Sequence, residues 1–380
     1  MRTLHQTEIF NKMMSSEDKI VNFNGSAGVG KTFCVNLFLK KTDLDVQLTS
    51  TTNKALSHYE VEGKTTASFL GFTMVYGELR QKQKHEQKTV DILIIDESSM
   101  LTRQLLKAII GYVNTGFFRK VILVGDPIQL QIDQFLDLSQ FPSFELTEPM
   151  RQVEDNALKS ELSILRNVIE TKGAPTKIID DGVSIIRHDK HEDFLRAYKN
   201  SNKNKYMLAY KNQTVRVYNR KVVKEMYGRS DEYNEGDMLV ALSMAFSEDR
   251  KEVLLRNREE FLVETVIDEG PYWLINSNIK VPKTKKWLED QLEEYKARKD
   301  WSNFYRIKES FVFVHHSYAG TVHSAQGATF EEVFIDVTDF AVPNDPLHQT
   351  LLRLMYVGLS RAKITAHMFT GGERTWKGLE

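Results

Sequence analysis

The stretch Gly25-Ser26-Ala27-Gly28-Val29-Gly30-Lys31-Thr32 follows the pattern G-x-x-x-x-G-K-[ST]. Glycines let a backbone wrap closely round phosphate oxygens, and the amides at the start of a following helix attract negative charge. A lysine placed as Lys31 is reaches the β/γ-phosphates, and a hydroxyl placed as that of Thr32 is ligates Mg²⁺. ATP and Mg²⁺ are the cofactors this chemistry implies. Sixty-five positions beyond Lys31, the apolar run Ile92 to Ile95 ends in Asp96-Glu97. Acids at the C-terminal end of a strand stand where ligands gather in open α/β sheets. Asp96 suits holding Mg²⁺ through its water shell, and Glu97 suits orienting or deprotonating an attacking water, which a hydrolase needs. A third apolar run ends in Gly125-Asp126-Pro127-Ile128-Gln129-Leu130. Taken alone, Gly-Asp-Pro is a common turn; after two such strands, Gln129 reads as a γ-phosphate sensor.

These groups need a scaffold. From Lys19 to Leu39 the order is apolar run, glycine-rich turn, then a helical pattern with Phe33, Leu37 and Phe38 on one face. Further strands are expected at Val46 to Ser50, Ile92 to Ile95 and Val121 to Val124, separated by helical lengths. Continuous apolar strands alternating with helices predict a parallel sheet covered on both faces, spanning residues 1–150. A second series follows, with a helix at Asn156 to Glu170 and strands near Val183 to Ile186, Tyr206 to Ala209, Phe311 to Val314, Val333 to Val337 and Thr365 to Phe369. It makes a second α/β unit from residues 151–235 and 311–380. Between them, residues 236–310 alternate at Met238 to Ala241, Phe261 to Ile267 and Tyr272 to Asn276, then turn helical from Thr284 to Lys299, which predicts a small inserted β-rich unit.

Composition is that of a folded multidomain protein: 380 residues, 41% hydrophobic and 27% charged. Lys and Arg number 51 against 52 Asp and Glu, a net charge of -1, so any nucleic-acid binding must use a local groove and not a global basic field. The only cysteine is Cys34, which excludes an internal disulfide and a cysteine-rich zinc site. No apolar run approaches the roughly 20 residues of a membrane helix. No membrane partner is expected, and the chain reads as cytoplasmic, in a bacterial cytosol or a phage-infected host.

Taken together, the segments resemble superfamily 1 helicases, within the 5′-to-3′ group typified by the RecD and Dda helicases. The phosphate loop and Asp96-Glu97 contribute, as do Glu148-Pro149-Met150-Arg151-Gln152, the run from Gly320 to Gly327 (GTVHSAQG), which is close to T-x-H-x-x-Q-G, and Tyr356-Val357-Gly358-Leu359-Ser360-Arg361, close to Y-V-[AG]-x-[ST]-R. The resemblance implies two RecA-like domains, with the inserted unit SH3-like and a short hairpin inserted at 72–88. It implies that Gln6 reads adenine, that Gly327 borders the nucleotide, and that Arg151 and Arg361 reach the γ-phosphate from the second domain. It also implies strand contacts by Thr52, Asn53, Lys54, Ser68, Thr321 and His323. Their hydroxyl, amide and cationic groups suit phosphate binding without sequence readout, and a buried core histidine is the other reading of His323. The sequence departs from the family's pattern at Ser26 and Thr51, where relatives carry proline, and at Ala67, where many carry histidine.

An ATP-dependent 5′-to-3′ DNA helicase acting as a monomer on single strands and duplex junctions is therefore expected. There is room for a single-strand-binding or replication protein as a partner. The polarity comes from the resemblance alone. A translocase that separates no duplex and an ATP- and DNA-binding regulatory module are the other readings. Residues 72–88, with Tyr76, Arg80, Lys82, Lys84 and Lys88, are either a strand-separating wedge or a solvated loop. Trp287, Trp301, Phe304 and Tyr305 read as packing residues.

Overall fold

The computed structural model describes residues 3–26, 28–56, 58–75, 78–82, 85–131, 133, 136–148, 156–173, 178–228, 233–340 and 348–371. The chain divides into two compact units, Met1–Tyr210 with Val322–Glu380, and Lys211–Thr321.

The larger unit holds two parallel sheets. In the first, the strands run Lys64–Thr65, Val46–Ser50, Val90–Asp96, Phe118–Gly125, Ile20–Gly25 and Ser143–Leu146 in spatial order. Successive residues of a strand face opposite sides, and here both sides are covered. Ile92 and Ile94 join Phe23, Val35 and Phe10 under helices Leu4–Ser15 and Lys31–Leu39, while Leu93 and Ile95 join Leu105, Ile109 and Val113 of helix Arg103–Asn114. This two-sided burial is why these strands read as unbroken apolar runs. Cys34 lies fully buried in the first of these layers. Register pairs Ser50 with Asp96 and Asn24 with Gly125, so the strand ends carrying the loop, the acids and the sensor segment line up along one edge.

The 72–88 stretch begins as a hairpin, Phe72–Val75 against Glu78–Gln81, with Phe72 and Leu79 packed on the first sheet's core. Tyr76 and Lys84 lie outside the described residues.

In the second sheet, Lys205–Ala209, Phe330–Asp336, Ala362–Phe369 and Ile185–His188 run parallel in that order. Helices Ala157–Thr171 and Gln349–Leu359 cover one face through Leu158, Leu165, Leu352 and Met355. Helix His191–Asn200 covers the other, with Tyr198 and Phe194 edge-on to Phe334 at 5.0 and 5.7 Å. The strand read at Val183 to Ile186 starts two residues later, because Asp181 Oδ1 accepts the amides of Val183, Ser184 and Ile185 and holds them in a turn.

The smaller unit contains an antiparallel sheet of Glu260–Leu262, Met238–Ala241 and Val314–His316, a meander of Val266–Asp268, Tyr272–Ile275 and Ile279–Pro282, and helices Asn212–Lys221, Lys285–Ala297 and Trp301–Ser310. Two expectations change here. The strand read at Phe311 to Val314 as part of the second parallel sheet is Val314–His316 and pairs antiparallel with Met238–Ala241, because Val312 and Val314 fill the small unit's core beside Leu239 and Ile275. The unit is accordingly wider than residues 236–310. Trp287 packs on Phe311 at 5.4 Å as expected, but Trp301 and Tyr305 stay 50% and 44% exposed on the outer face of their helix. Among the described residues, no helix is long and apolar enough to cross a membrane.

Candidate nucleotide site

The phosphate loop leaves the strand Ile20–Gly25 and enters helix Lys31–Leu39. Glycine is required at its start: a Cβ on Gly25 would stand 2.7 Å from both the Leu146 carbonyl oxygen and Val29 Cγ2. Gly28 and Gly30 adopt φ of 86° and 90°, a region that side chains disfavour. Lys31 Nζ donates to the carbonyls of Gly25 at 2.6 Å and Ser26 at 3.0 Å. Burial lowers the lysine's pKa, opposed by the nearby charges of Asp126, Glu97 and Asp96. The Gln6 amide is tied to this loop. Its Nε2 donates to the Val29 carbonyl at 3.0 Å, while its Oε1 accepts the Thr3 amide at 3.1 Å in a capping box.

Asp96 is buried, which raises its pKa; Oδ2 accepts the Tyr59 hydroxyl at 2.8 Å and Oδ1 the Glu97 amide at 2.8 Å. Thr32 interacts with the same Tyr59 hydroxyl, so the two candidate Mg²⁺ ligands share one phenol as neighbour. An oxygen donor pair at the mouth of a phosphate loop fits that hard cation. Glu97 leaves the strand with φ of 51°, its carbonyl held by the Thr51 hydroxyl at 3.0 Å. Burial, with Asp96 beside it, pushes the Glu97 carboxyl up to about 7, where a general base works best at neutral pH.

The second sheet's segments close on these groups. Gln326 Nε2 donates to Oε1 of the buried Gln129 at 3.2 Å. The Gly327 carbonyl lies 2.7 Å from His58 Nε2, and a Cβ on Gly327 would come within 3.6 Å of Glu97 Oε1. Arg361 is 5% exposed. Its guanidinium donates to the carbonyls of Val357 at 3.1 Å and Ala328 at 3.2 Å and to Ser360 Oγ at 2.8 Å, and its charge reaches both Glu97 and Lys31. Thus Lys31, Thr32, Asp96, Glu97, Gln129, Gly327 and Arg361 come together, with Gln6 buttressing the loop. Arg151 and Ala27 lie outside the described residues.

The nucleic-acid candidates are carried by separate segments. Thr52 Oγ1 accepts the Ala55 amide at 3.3 Å, capping the short helix Asn53–Leu56 that carries Asn53 and Lys54, whose side chains are outside the described set. Ser68 is exposed at the end of helix Thr66–Phe69. His323 is partly buried, its ring 6.0 Å from that of Tyr210, and burial lowers its pKa. Thr321 ends a strand of the smaller unit.

Sequence reasoning missed a set of residues that ties the two sheets together. Asp126 is buried and accepts the Tyr356 hydroxyl at 2.9 Å, the Ile128 amide at 3.1 Å and Arg166 Nη1 at 3.4 Å. Arg353 Nη1 donates to three successive carbonyls of the sensor loop, Pro127, Ile128 and Gln129, at 2.9, 2.8 and 3.0 Å. Asp126 and Tyr356 sat inside the motifs singled out, but their pairing over 230 residues left no signal. Arg166 and Arg353 fall in amphipathic helices with no motif of their own.

A phosphate loop and acids on one parallel sheet, faced by an arginine from a second, frame a candidate nucleotide site. A model described as an AAA domain matches residues 3–174, and one described as a UvrD-like helicase C-terminal domain matches residues 316–369. The ATP-dependent DNA helicase Pif1 of Campylobacter jejuni is 33% identical over 127 residues, which is 29% of this chain and 28% of that protein's length. The Pif1 helicase from Bacteroides, solved with ADP-AlF3 and ssDNA, superposes with a TM-score of 0.59 at 16% identity, covering 97% of this chain and 92% of that one. The Pif1 helicase from Candida albicans gives 0.59 at 15%, covering 99% and 95%. The chain thus shares the fold of the Pif1 structures and is similar to helicase sequences over these segments, the match to the Campylobacter jejuni protein spanning little more than a quarter of that protein's length.

Proposed function

We propose that this protein is an ATP-dependent DNA helicase that moves 5′-to-3′ along a single strand and opens duplex at junctions. The observation that supports this reading is the convergence of Glu97 and Arg361 on Lys31, with the Gln129–Gln326 pair joining the sensor segment to the second sheet's segment. In it, Lys31 and the loop amides hold the phosphates, and Gln6 and Gly327 border the nucleotide. Thr32 and Asp96 would hold Mg²⁺, whose charge would neutralise the phosphate oxygens. Glu97 takes the proton of the attacking water, and Gln129 senses the γ-phosphate. Arg361 and Arg151 stabilise charge that develops as the bond breaks, an effect worth about 10³ to 10⁵ in rate in related NTPases.

Because these groups arrive from two sheets, hydrolysis is coupled to their approach. Alternating grips on a strand by Thr52, Asn53, Lys54 and Ser68 on one side, and by Thr321 and His323 on the other, turn that approach into directed motion.

Steady-state ATP hydrolysis with and without single-stranded DNA tests the motor, and strand displacement on 5′-tailed and 3′-tailed duplexes tests polarity. Stimulation of about tenfold or more, lost in Lys31→Ala, is expected. ATP binding with no response to DNA would move the regulatory-module reading to the front.

A further inference from the structure

Helix Asn53–Leu56, which carries two of the strand-contact candidates, leads into the turn His58-Tyr59-Glu60. The amides of His58 and Tyr59 donate to the carbonyls of Ala55 and Leu56 at 3.3 and 3.1 Å, so the turn is fastened to the helix. It is also fastened to the phosphate-loop helix. Asn36, on Lys31–Leu39, donates from Nδ2 to the His58 carbonyl at 3.2 Å and accepts the Glu60 amide on Oδ1 at 3.3 Å. The two side chains of the turn then part. Buried Tyr59 reaches Asp96 and Thr32, whereas exposed His58 reaches the second sheet's segment, with Nε2 2.7 Å from the Gly327 carbonyl. A carbonyl only accepts, so Nε2 carries the proton and donates it to this bond.

Gly327 is a sensitive place to hold. Its φ is 79°, and a Cβ built on it would come within 3.6 Å of Glu97 Oε1 and 3.8 Å of Ala55. On one side of it Gln326 donates to Gln129 Oε1; on the other, the Ala328 carbonyl accepts Arg361 Nη1 at 3.2 Å. Three successive residues therefore meet, in order, the sensor, His58 and the arginine candidate, beside the carboxylate assigned to the attacking water. Peptide units are planar and stiff, so a shift of the Gly327 carbonyl displaces its neighbours with it.

We infer that His58 is a positioning residue that passes strand binding to the nucleotide site, by holding Gly327 beside Glu97 in step with helix Asn53–Leu56. The inference rests on the nucleic-acid motor reading and deepens it by naming a route from a strand contact to the hydrolytic groups. A strand seated on Asn53 and Lys54 fixes the helix, and the helix fixes the turn. The His58 N–H then fixes Gly327, and through it Gln326 and the Ala328 carbonyl that orients Arg361. His58 itself touches neither phosphate nor attacking water in this scheme. Its effect is on placement, and a misplacement of about 1 Å costs up to roughly a hundredfold in rate.

Steady-state ATP hydrolysis with and without a saturating oligodeoxythymidine, on His58→Ala and His58→Gln, tests it. Glutamine offers an amide N–H at nearly the reach of the imidazole Nε2–H, and alanine offers none. His58→Ala is expected to lower the ratio of DNA-stimulated to DNA-free kcat at least about fivefold, with KM for ATP and affinity for the oligonucleotide within about twofold of wild type. His58→Gln is expected to restore most of the ratio. The melting temperature serves as the fold control, since His58 is exposed. An unchanged ratio in folded His58→Ala, whether or not both rates fall, would overturn the inference and leave the motor reading standing. So would a glutamine variant no better than the alanine one. Absence of stimulation in the wild-type protein would overturn the motor reading and the inference with it.

Discussion

The hydroxyl of Tyr356, on a helix of the second sheet, donates to Asp126 at the end of a strand of the first, at 2.9 Å. Asp126 is buried with Arg166 as its other side-chain donor, so the bond joins the two halves of the nucleotide site through a desolvated carboxylate. Tyr356→Phe leaves that carboxylate short of a donor. A loss of about 1–3 kcal/mol is expected, read as a lower denaturant midpoint with an unchanged slope.

Arg353 acts on the same loop by a different route. A single guanidinium nitrogen spans the carbonyls of Pro127, Ile128 and Gln129 and so fixes the backbone that presents the Gln129 side chain. Arg353→Met keeps much of the packing and removes the donor. A fall in kcat of about tenfold to a hundredfold, with KM for ATP nearly unchanged, is expected from displacing a sensor by a fraction of an ångström. Steady-state kinetics on the DNA-stimulated reaction check it.

Gly25→Ala forces a methyl group against the Leu146 carbonyl oxygen and Val29 Cγ2, each 2.7 Å away. The backbone oxygen belongs to a paired strand and cannot step aside, so the loop must. Nucleotide affinity is expected to fall at least about tenfold and stability by about 1–3 kcal/mol, measured by fluorescent-nucleotide titration and chemical denaturation.

The hairpin Phe72–Val75 and Glu78–Gln81 is anchored by Phe72 and Leu79 and leaves Arg80 exposed. Replacing residues 74–78, which leaves both anchors in place, by a short glycine linker is expected to abolish strand displacement on a tailed duplex while leaving DNA-stimulated ATP hydrolysis within about twofold of wild type. Loss of both activities together would show that the segment supports the fold instead of parting strands.

His367 provides a pH test away from the site. Its ring stacks on Phe334 at 4.3 Å, and its Nδ1 lies 3.0 Å from His188 Nε2. Burial, then the neighbouring His188, pushes its pKa down to about 4. The unfolded chain, with a histidine pKa of about 6.5, takes up a proton first as pH falls. Stability is therefore full above pH 6.5 and is lost on acidification toward pH 4. A decline of roughly 1–2 kcal/mol between pH 6.5 and 5 is expected for wild type, and a flatter curve for His367→Gln in urea denaturation at each pH.

The parts of the site legible in the sequence are those whose chemistry is local. The phosphate loop, Asp96-Glu97 and the Gln129 segment each follow an apolar strand, and a parallel sheet brings such strand ends to one edge without further information. Partnership was harder to read. An apolar run at 311–314 announces a strand but not a sheet, and it joined the small unit because its partner, Met238–Ala241, lay there. Trp301 and Tyr305 were read as packing residues from type alone, yet their helix turns them outward. The Asp126–Tyr356 bond and the Arg353 clasp are tertiary facts. Each residue is unremarkable in its own stretch, and only the fold reveals which distant group it meets.

The solitary thiol, buried beneath the phosphate-loop helix, has a practical reach. Maleimide dyes react with exposed thiols, so cysteines introduced at surface positions will take label without the native residue being removed. Pairs placed on the two sheets make the chain ready for single-molecule energy transfer, in which any change in the separation of the sheets appears as a change of colour in real time.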